Sequence, residues 1–222
     1  MNFLELCRDL VLEAGYSGQM ITTQGQVGQY ARVVKWIRQA DMDIQNEHQD
    51  WTFMDREFAF QTEEDKDRYT LAELDALGVE NVGDWDRDKM LVTDAYGRSS
   101  KLYWADFRLF HHRYGTSMIQ SGRPVFFAVL PEGGLALGPK PDTEYEITGW
   151  FHLKATPMLE DADVPLVPEP FHQAIVWKAL SYYGRNEEDA GALARGEQLY
   201  REAIHQMRLR YLPDIRMPGA LA

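Results

Sequence analysis

The chain has 222 residues, 23 Lys plus Arg against 35 Asp plus Glu, and a formal net charge of -12. That length suits one domain, or one domain with a sizeable insertion, and 45% hydrophobic with 12% aromatic residues is enough to bury a core. The acidic balance argues against a dedicated nucleic-acid binder, and the longest purely apolar run, residues 125–130, is far short of the ~20 residues a membrane span needs.

The first residues have no basic start and no long apolar run, so no signal peptide is expected. Phe3, Leu6, Cys7, Leu10, Val11 and Ala14 recur at helical spacing. Asn2 and Glu5 are spaced as a capping pair, and Gly15 is a natural stop. Cys7 is the single cysteine, which excludes an intramolecular disulfide; its place on the apolar face predicts a buried, inert thiol. After a polar loop, a second helix is predicted from about Gln26 to His48, opened by a Thr23–Gln26 capping box. Its apolar stripe is Tyr30, Val33, Val34, Ile37, Ala40 and Ile44.

From Trp51 the period changes to two. Phe58 and Phe60 alternate with polar neighbours, as do Met90 and Val92. A helical turn is predicted near Leu71 to Leu77. A short amphipathic helix near residues 100–114 would present Tyr103, Phe107, Phe110 and Tyr114 and end at Gly115. Residues 124–130 and 135–138 flank Pro131-Glu132-Gly133-Gly134 and read as a hairpin. The clearest strand is 143–154, with Tyr145, Ile147, Phe151 and Leu153 on one face and Glu144, Glu146, His152 and Lys154 on the other. Beyond a Pro and acid rich connector the helical period returns. Phe171, Ala174, Ile175, Leu180 and Tyr182 form one helix, which Gly184 is expected to end, with Asn186 capping the next. The last helix carries Leu193, Tyr200, Ala203, Ile204, Met207 and Tyr211 and stops at Pro213. The predicted fold class is α+β. An antiparallel helical bundle comes from residues 1–52 and 165–222, with an extended C-terminal tail, and a β-rich insertion occupies 53–164.

Chemical motifs are few. Asp84-x-Asp86-x-Asp88 begins like a calcium loop, yet Lys89 and Ala95 stand where glycine and a bidentate glutamate belong. Adjacent His111 and His112 do not point at one site on a helix. Gly133 to Gly138 has phosphate-loop spacing, but Pro139 replaces the lysine; no GxSxG elbow is present. No catalytic residue, cofactor or metal is therefore predicted.

Two features stand out. Residues 55–94 hold 13 acids and 5 bases, whereas 95–130 hold Arg98, Lys101, Arg108, Arg113 and Arg123 against Asp106 alone. Opposite faces of this kind suit head-to-tail pairing of copies, which predicts a subunit interface at Arg98, Lys101, Arg108 and Arg113. The C-terminal segment combines Arg208, Arg210, Tyr211 and Arg216 with apolar Leu212, Ile215 and Met217, residue types that anchor interfaces.

Several segments in order resemble the adaptor proteins of tailed bacteriophages. These are Phe3-Leu4-Glu5-Leu6-Cys7-Arg8, Val33-Val34-Lys35-Trp36-Ile37, Asp50-Trp51-Thr52-Phe53 and Gly122-Arg123-Pro124. Leu137-Gly138-Pro139-Lys140-Pro141-Asp142, Val167-Pro168 and Phe171-His172-Gln173-Ala174-Ile175-Val176 continue the likeness over nearly the whole chain. The resemblance implies a structural virion protein of the head–tail connector. It would form a ring with copies of itself, usually twelvefold, beneath the portal protein, extend the DNA channel, and offer a platform for tail or nozzle proteins. It would reside in the virion neck after assembly in the bacterial cytoplasm. The resemblance also implies portal docking through the C-terminal segment, carried to Arg208, Arg210, Tyr211, Ile215 and Arg216. DNA would pass without specific binding, part of the acidic surface facing the channel, because a wall that replaces phosphate counterions with lysines grips the duplex. Rival readings are a stopper or tail-tube component, a small hydrolase assisted by metal at Asp84, Asp86 and Asp88, and a solitary binding module.

Overall fold

A computed structural model describes residues 1–115 and 121–213. The fold is mixed α+β, with six α-helices and two β-sheets among the described residues. The helices are α1 (Phe3–Glu13), α2 (Gly28–Gln45), α3 (Leu71–Ala76), α4 (Phe107–Tyr114), α5 (His172–Asn186) and α6 (Ala190–Tyr211). The strands are β1 (Asp55–Gln61), β2 (Arg68–Tyr69), β3 (Val82–Trp85), β4 (Leu91–Thr93) and β5 (Ser99–Lys101). Then follow β6 (Tyr103–Trp104), β7 (Phe126–Val129), β8 (Leu135–Gly138) and β9 (Glu146–Leu153). The chain divides into two compact units, Met1–Met54 with Ala155–Ala222, and Asp55–Lys154.

In the first unit α1 opens with a complete capping box. Glu5 N–H donates to Asn2 Oδ1 and Asn2 N–H donates to Glu5 Oε2, both at 2.9 Å. The apolar face Phe3, Leu6, Cys7, Leu10 and Val11 is buried. The Cys7 thiol is pushed up to about 12 by desolvation, so it stays protonated. The predicted capping box at Thr23 does not form. The Thr23 N–H and hydroxyl both donate to Asp161 Oδ1 at 2.7 and 2.5 Å, and α2 starts at Gly28 without a side-chain cap. A long-range carboxylate takes the place of the local Gln26 amide. Val33, Val34, Ile37, Ala40 and Ile44 of α2 are buried as a stripe, with Tyr30 only half-buried.

Gly184 does not end α5; it lies inside the helix. A Cβ there would sit 2.3 Å from the Leu193 backbone N, and one on Gly196 would sit 2.8 Å from Ser181 N and Trp177 O. These glycines let α5 and α6 approach at backbone distance, so their missing side chains serve packing rather than termination. The cap of α6 is accordingly Asp189, not Asn186: its Oδ1 accepts the Gly191 and Ala192 N–H groups at 2.9 and 3.0 Å. Phe171 falls in a 3-10 turn just ahead of α5. Residues 155–163 are tied to this unit by side chains. Gln45 accepts Thr156 N–H at 3.0 Å and donates to Thr156 O at 3.2 Å, and Arg38 donates to Met158 O at 2.9 Å.

In the second unit β9 is the central strand of one sheet. β1 lies along one edge, and β3 and β4 share the other edge in succession, with β5 beyond β4, all antiparallel. Tyr145, Ile147, Phe151 and Leu153 are all buried, matching the alternation in the sequence. The core around them is aromatic: Phe58 lies 5.1 Å from Trp85 and 6.1 Å from Phe151, and Phe60 lies 5.1 Å from Tyr69. The second sheet has the order β2-β8-β7-β6, with β7 and β8 a hairpin and β6 parallel to β7. The helix predicted near 100–114 is shorter than expected. Tyr103 belongs to β6, and α4 begins at Phe107, where Asp106 Oδ1 accepts the Arg108 N–H at 2.9 Å.

Candidate functional site

The acidic loop holds its carboxylates on its own chain. Asp84 Oδ1 accepts the Trp85 N–H at 2.9 Å, and Arg87 lies 3.8 Å away. Asp86 accepts the Asp88 N–H and pairs with Lys89, both at 2.9 Å. Burial works against its ionisation, but these partners outweigh it and hold the carboxyl below its ordinary range. Among the described residues no group of three or more His, Cys, Asp or Glu side chains is arranged to hold a metal. His111 and His112 are exposed in the last turn of α4. A pocket of ≈ 460 Å³ between α2 and α5 is lined by Lys35, Trp36, Tyr182 and Arg185. Its Asp43 accepts from Gln39 at 2.6 Å and from the Tyr182 hydroxyl.

The C-terminal end of α6 is built into the helical unit. Glu47, just past the end of α2, accepts from both the Tyr200 hydroxyl and the Arg208 guanidinium. Burial, reinforced by Glu47, raises the Tyr200 phenol far above its ordinary range, so it acts as a donor only. The Tyr211 ring meets Phe53 at 5.7 Å and Phe171 at 5.9 Å edge-on, and its carbonyl accepts the Thr52 hydroxyl at 3.1 Å. Arg210 is exposed, with its guanidinium 5.4 Å from the Tyr211 ring centre. Ile215 and Arg216 lie outside the described residues.

The basic stretch of the second unit resolves into two groups. Arg98 is engaged: its Nε lies 2.8 Å from Asp94 and its guanidinium stacks 5.2 Å from the Tyr96 ring. Arg123 joins the same carboxylate at 3.6 Å. Lys101 and Arg113 instead end up on one exposed strip. The parallel register of β6 and β7 sets Tyr103 beside Phe126, ring centres 6.1 Å apart, and α4 brings Tyr114 to 6.3 Å from Phe126. Lys101 Nζ lies 6.0 Å from the Tyr103 ring, and the Arg113 guanidinium lies 5.2 Å from Phe126 and 5.5 Å from Tyr114. Arg108 is exposed in the first turn of α4, outside the strip. Sequence reasoning found the two cations but not their aromatic seats. It placed Tyr103 on a helix, and the Tyr103–Phe126 pair depends on a parallel register that no local pattern encodes.

No helix among the described residues is long and apolar enough to cross a membrane. No curated protein matches the chain. The family model for SU10 adaptor protein matches residues 1–220. A likeness spread over nearly the full length, through helices, sheets and connectors, shows that the chain belongs to the SU10 adaptor protein family, whose members are structural head–tail adaptors of bacteriophages.

Proposed function

We propose that this chain is the ring-forming adaptor of a phage neck. Copies stand in a ring beneath the portal, usually twelvefold in the family it resembles, extend the DNA channel, and present a platform to tail or nozzle proteins. In this reading the four long helices act as one antiparallel bundle, and Asp55–Lys154 is a β-rich insertion that carries the contacts between copies. The carrying observation is the adaptor-family match over residues 1–220.

The physical features agree with it. The second unit concentrates acids in 55–94 and bases in 95–130, so neighbours attract when stacked head to tail. Arg98, Lys101, Arg108 and Arg113 form the basic side of that contact, with Lys101 and Arg113 at its centre. Arg208, Arg210 and Tyr211, continuing to Ile215 and Arg216, form the portal-docking end, for which α6 supplies a rigid stem fixed by Glu47. The net charge of -12 per copy lets the ring surround DNA without gripping it. Electron microscopy of the full chain mixed with purified portal protein tests the reading. Rings of the chain stacked on one face of the portal are expected; a chain that stays monomeric and unbound beside the portal refutes it.

A further inference from the structure

The middle unit carries a small acidic knob whose charge is opposite to that of the exposed strip. Several carboxylates of 55–94 are already engaged internally. Lys66 lies 2.7 Å from Glu63 and 3.1 Å from Glu73, Lys140 lies 3.6 Å from Asp65, and Asp84, Asp86 and Asp94 have the cationic partners described above. Asp75 and Glu80, like Glu57, Glu64 and Asp88, are exposed and hold no ion pair among the described residues, but these two flank an exposed apolar side chain. Between them Leu77 is 43% exposed, an apolar side chain flanked by two acids.

This knob is rigid. α3 ends in a Schellman arrangement: Gly78 takes φ +86°, its N–H donates to Asp75 O at 3.0 Å, and the Val79 N–H reaches back to Leu74 O at 2.9 Å. Val79 and Leu74 are buried, so the turn is pinned from below while Leu77 faces out. A pre-shaped apolar tip with fixed charges loses little entropy on docking.

The strip offers the complement. Tyr103, Phe126 and Tyr114 make an apolar floor, and Lys101 and Arg113 stand over it as cations. The two features sit at opposite ends of the β7–β8 hairpin. Phe126 pairs with Gly138 at the open end, whereas the Leu71 side chain at the start of α3 packs against Gly133 at the turn. A single contact between these two ends joins copies head to tail, the type that propagates and, where the rotation closes, forms rings. Nucleic acid is the less favoured occupant of the strip, because the 13 acids of residues 55–94 in the same unit repel a phosphate backbone.

We infer that the α3 knob of one copy, Asp75, Leu77 and Glu80, docks on the Lys101–Tyr103–Phe126–Arg113–Tyr114 strip of the next copy. This rests on the adaptor-ring reading and names the contact that closes the ring. Three full-length variants test it: Lys101→Glu with Arg113→Glu, Asp75→Lys with Glu80→Lys, and all four together. Every altered side chain is on the surface, and melting temperature and circular dichroism check that each variant folds. With purified portal, each one-sided variant is expected to lower ring occupancy about tenfold or more, and the four-fold variant to recover most of it by swapping the charges. Rings of wild type alongside undiminished rings of both one-sided variants overturn this contact while leaving the adaptor reading intact. Absence of wild-type rings overturns the adaptor reading itself, and this contact with it. Wild type that retains a short DNA duplex, lost in Lys101→Glu with Arg113→Glu while rings persist, overturns the contact in favour of a nucleic-acid face.

Discussion

The helical unit adds to its apolar core polar side chains that reach far along the chain, whereas the β-rich unit gathers rings around one strand. Besides their buried apolar stripes, α2 and the turn after it are tied to later segments by polar groups: Asp43 to Tyr182, Glu47 to Tyr200 and Arg208, and Gln45 to the backbone of Thr156. In the second unit, Phe58, Trp85 and Phe151 meet at 5.1–6.1 Å around β9, and the backbone ladder does the rest. Polar ties depend on protonation and screening, whereas ring contacts depend on volume. The two units should therefore fail under different insults.

The largest expected effect is on the rings. Phe58→Ala empties the space beneath β9 and should cost about 3–5 kcal/mol. Hydrogen exchange should quicken at amides of β1, β4 and β9 well before those of α5. Equal quickening in both units would break the contrast.

A smaller effect should come from protonation in the helical unit. The Asp41 carboxyl is fully buried; Gln45 donates to one oxygen at 2.8 Å, and the other has no hydrogen-bond partner. Desolvation raises it from 3.8 to about 7, so the folded state holds this proton more tightly than the unfolded chain does. The stability it contributes is whole below about pH 4 and is lost as pH climbs to about 7, a change on the order of a few kcal/mol. Denaturant unfolding across that range should show the decline, and Asp41→Asn should flatten it. A slope that survives Asp41→Asn would assign the titration to another group.

The smallest effect sharpens the same picture from the packing side. Gly184→Ala adds helix propensity but drives a methyl into the Leu193 backbone, for a net loss of about 1–3 kcal/mol. A melting temperature lowered by several degrees is expected. A higher one would mean that Gly184 is only a weak point in a helix.

Local chemistry was legible in the sequence, and long-range chemistry was not. The Asn2–Glu5 box of α1 and the alternation of β9 each depend on residues a few places apart, and both stand as read. Thr23 looked like a cap because Gln26 follows at the right spacing, but its acceptor, Asp161, is far away in the chain. Gly184 showed the opposite ambiguity: the same residue type ends helices and lets them touch, and only the neighbouring helix decides which. Tyr103 kept helical step with Phe107 and Phe110 while its backbone paired in parallel with β7. The cations of the strip were visible as a charge run, yet their aromatic seats arise from that parallel pairing.

The first residue of β1 faces the end of β9: Asp55 is opposite His152. Antiparallel partners stand only ~5 Å apart, so the chain leaves the helical unit and returns to it at almost the same point. Measured by the helices, the whole of Asp55–Lys154 closes like a tight loop, with little more chain entropy to lose than a short turn. Mutation can rewrite that segment, changing what it meets outside, while the frame that carries it keeps its own rules of folding.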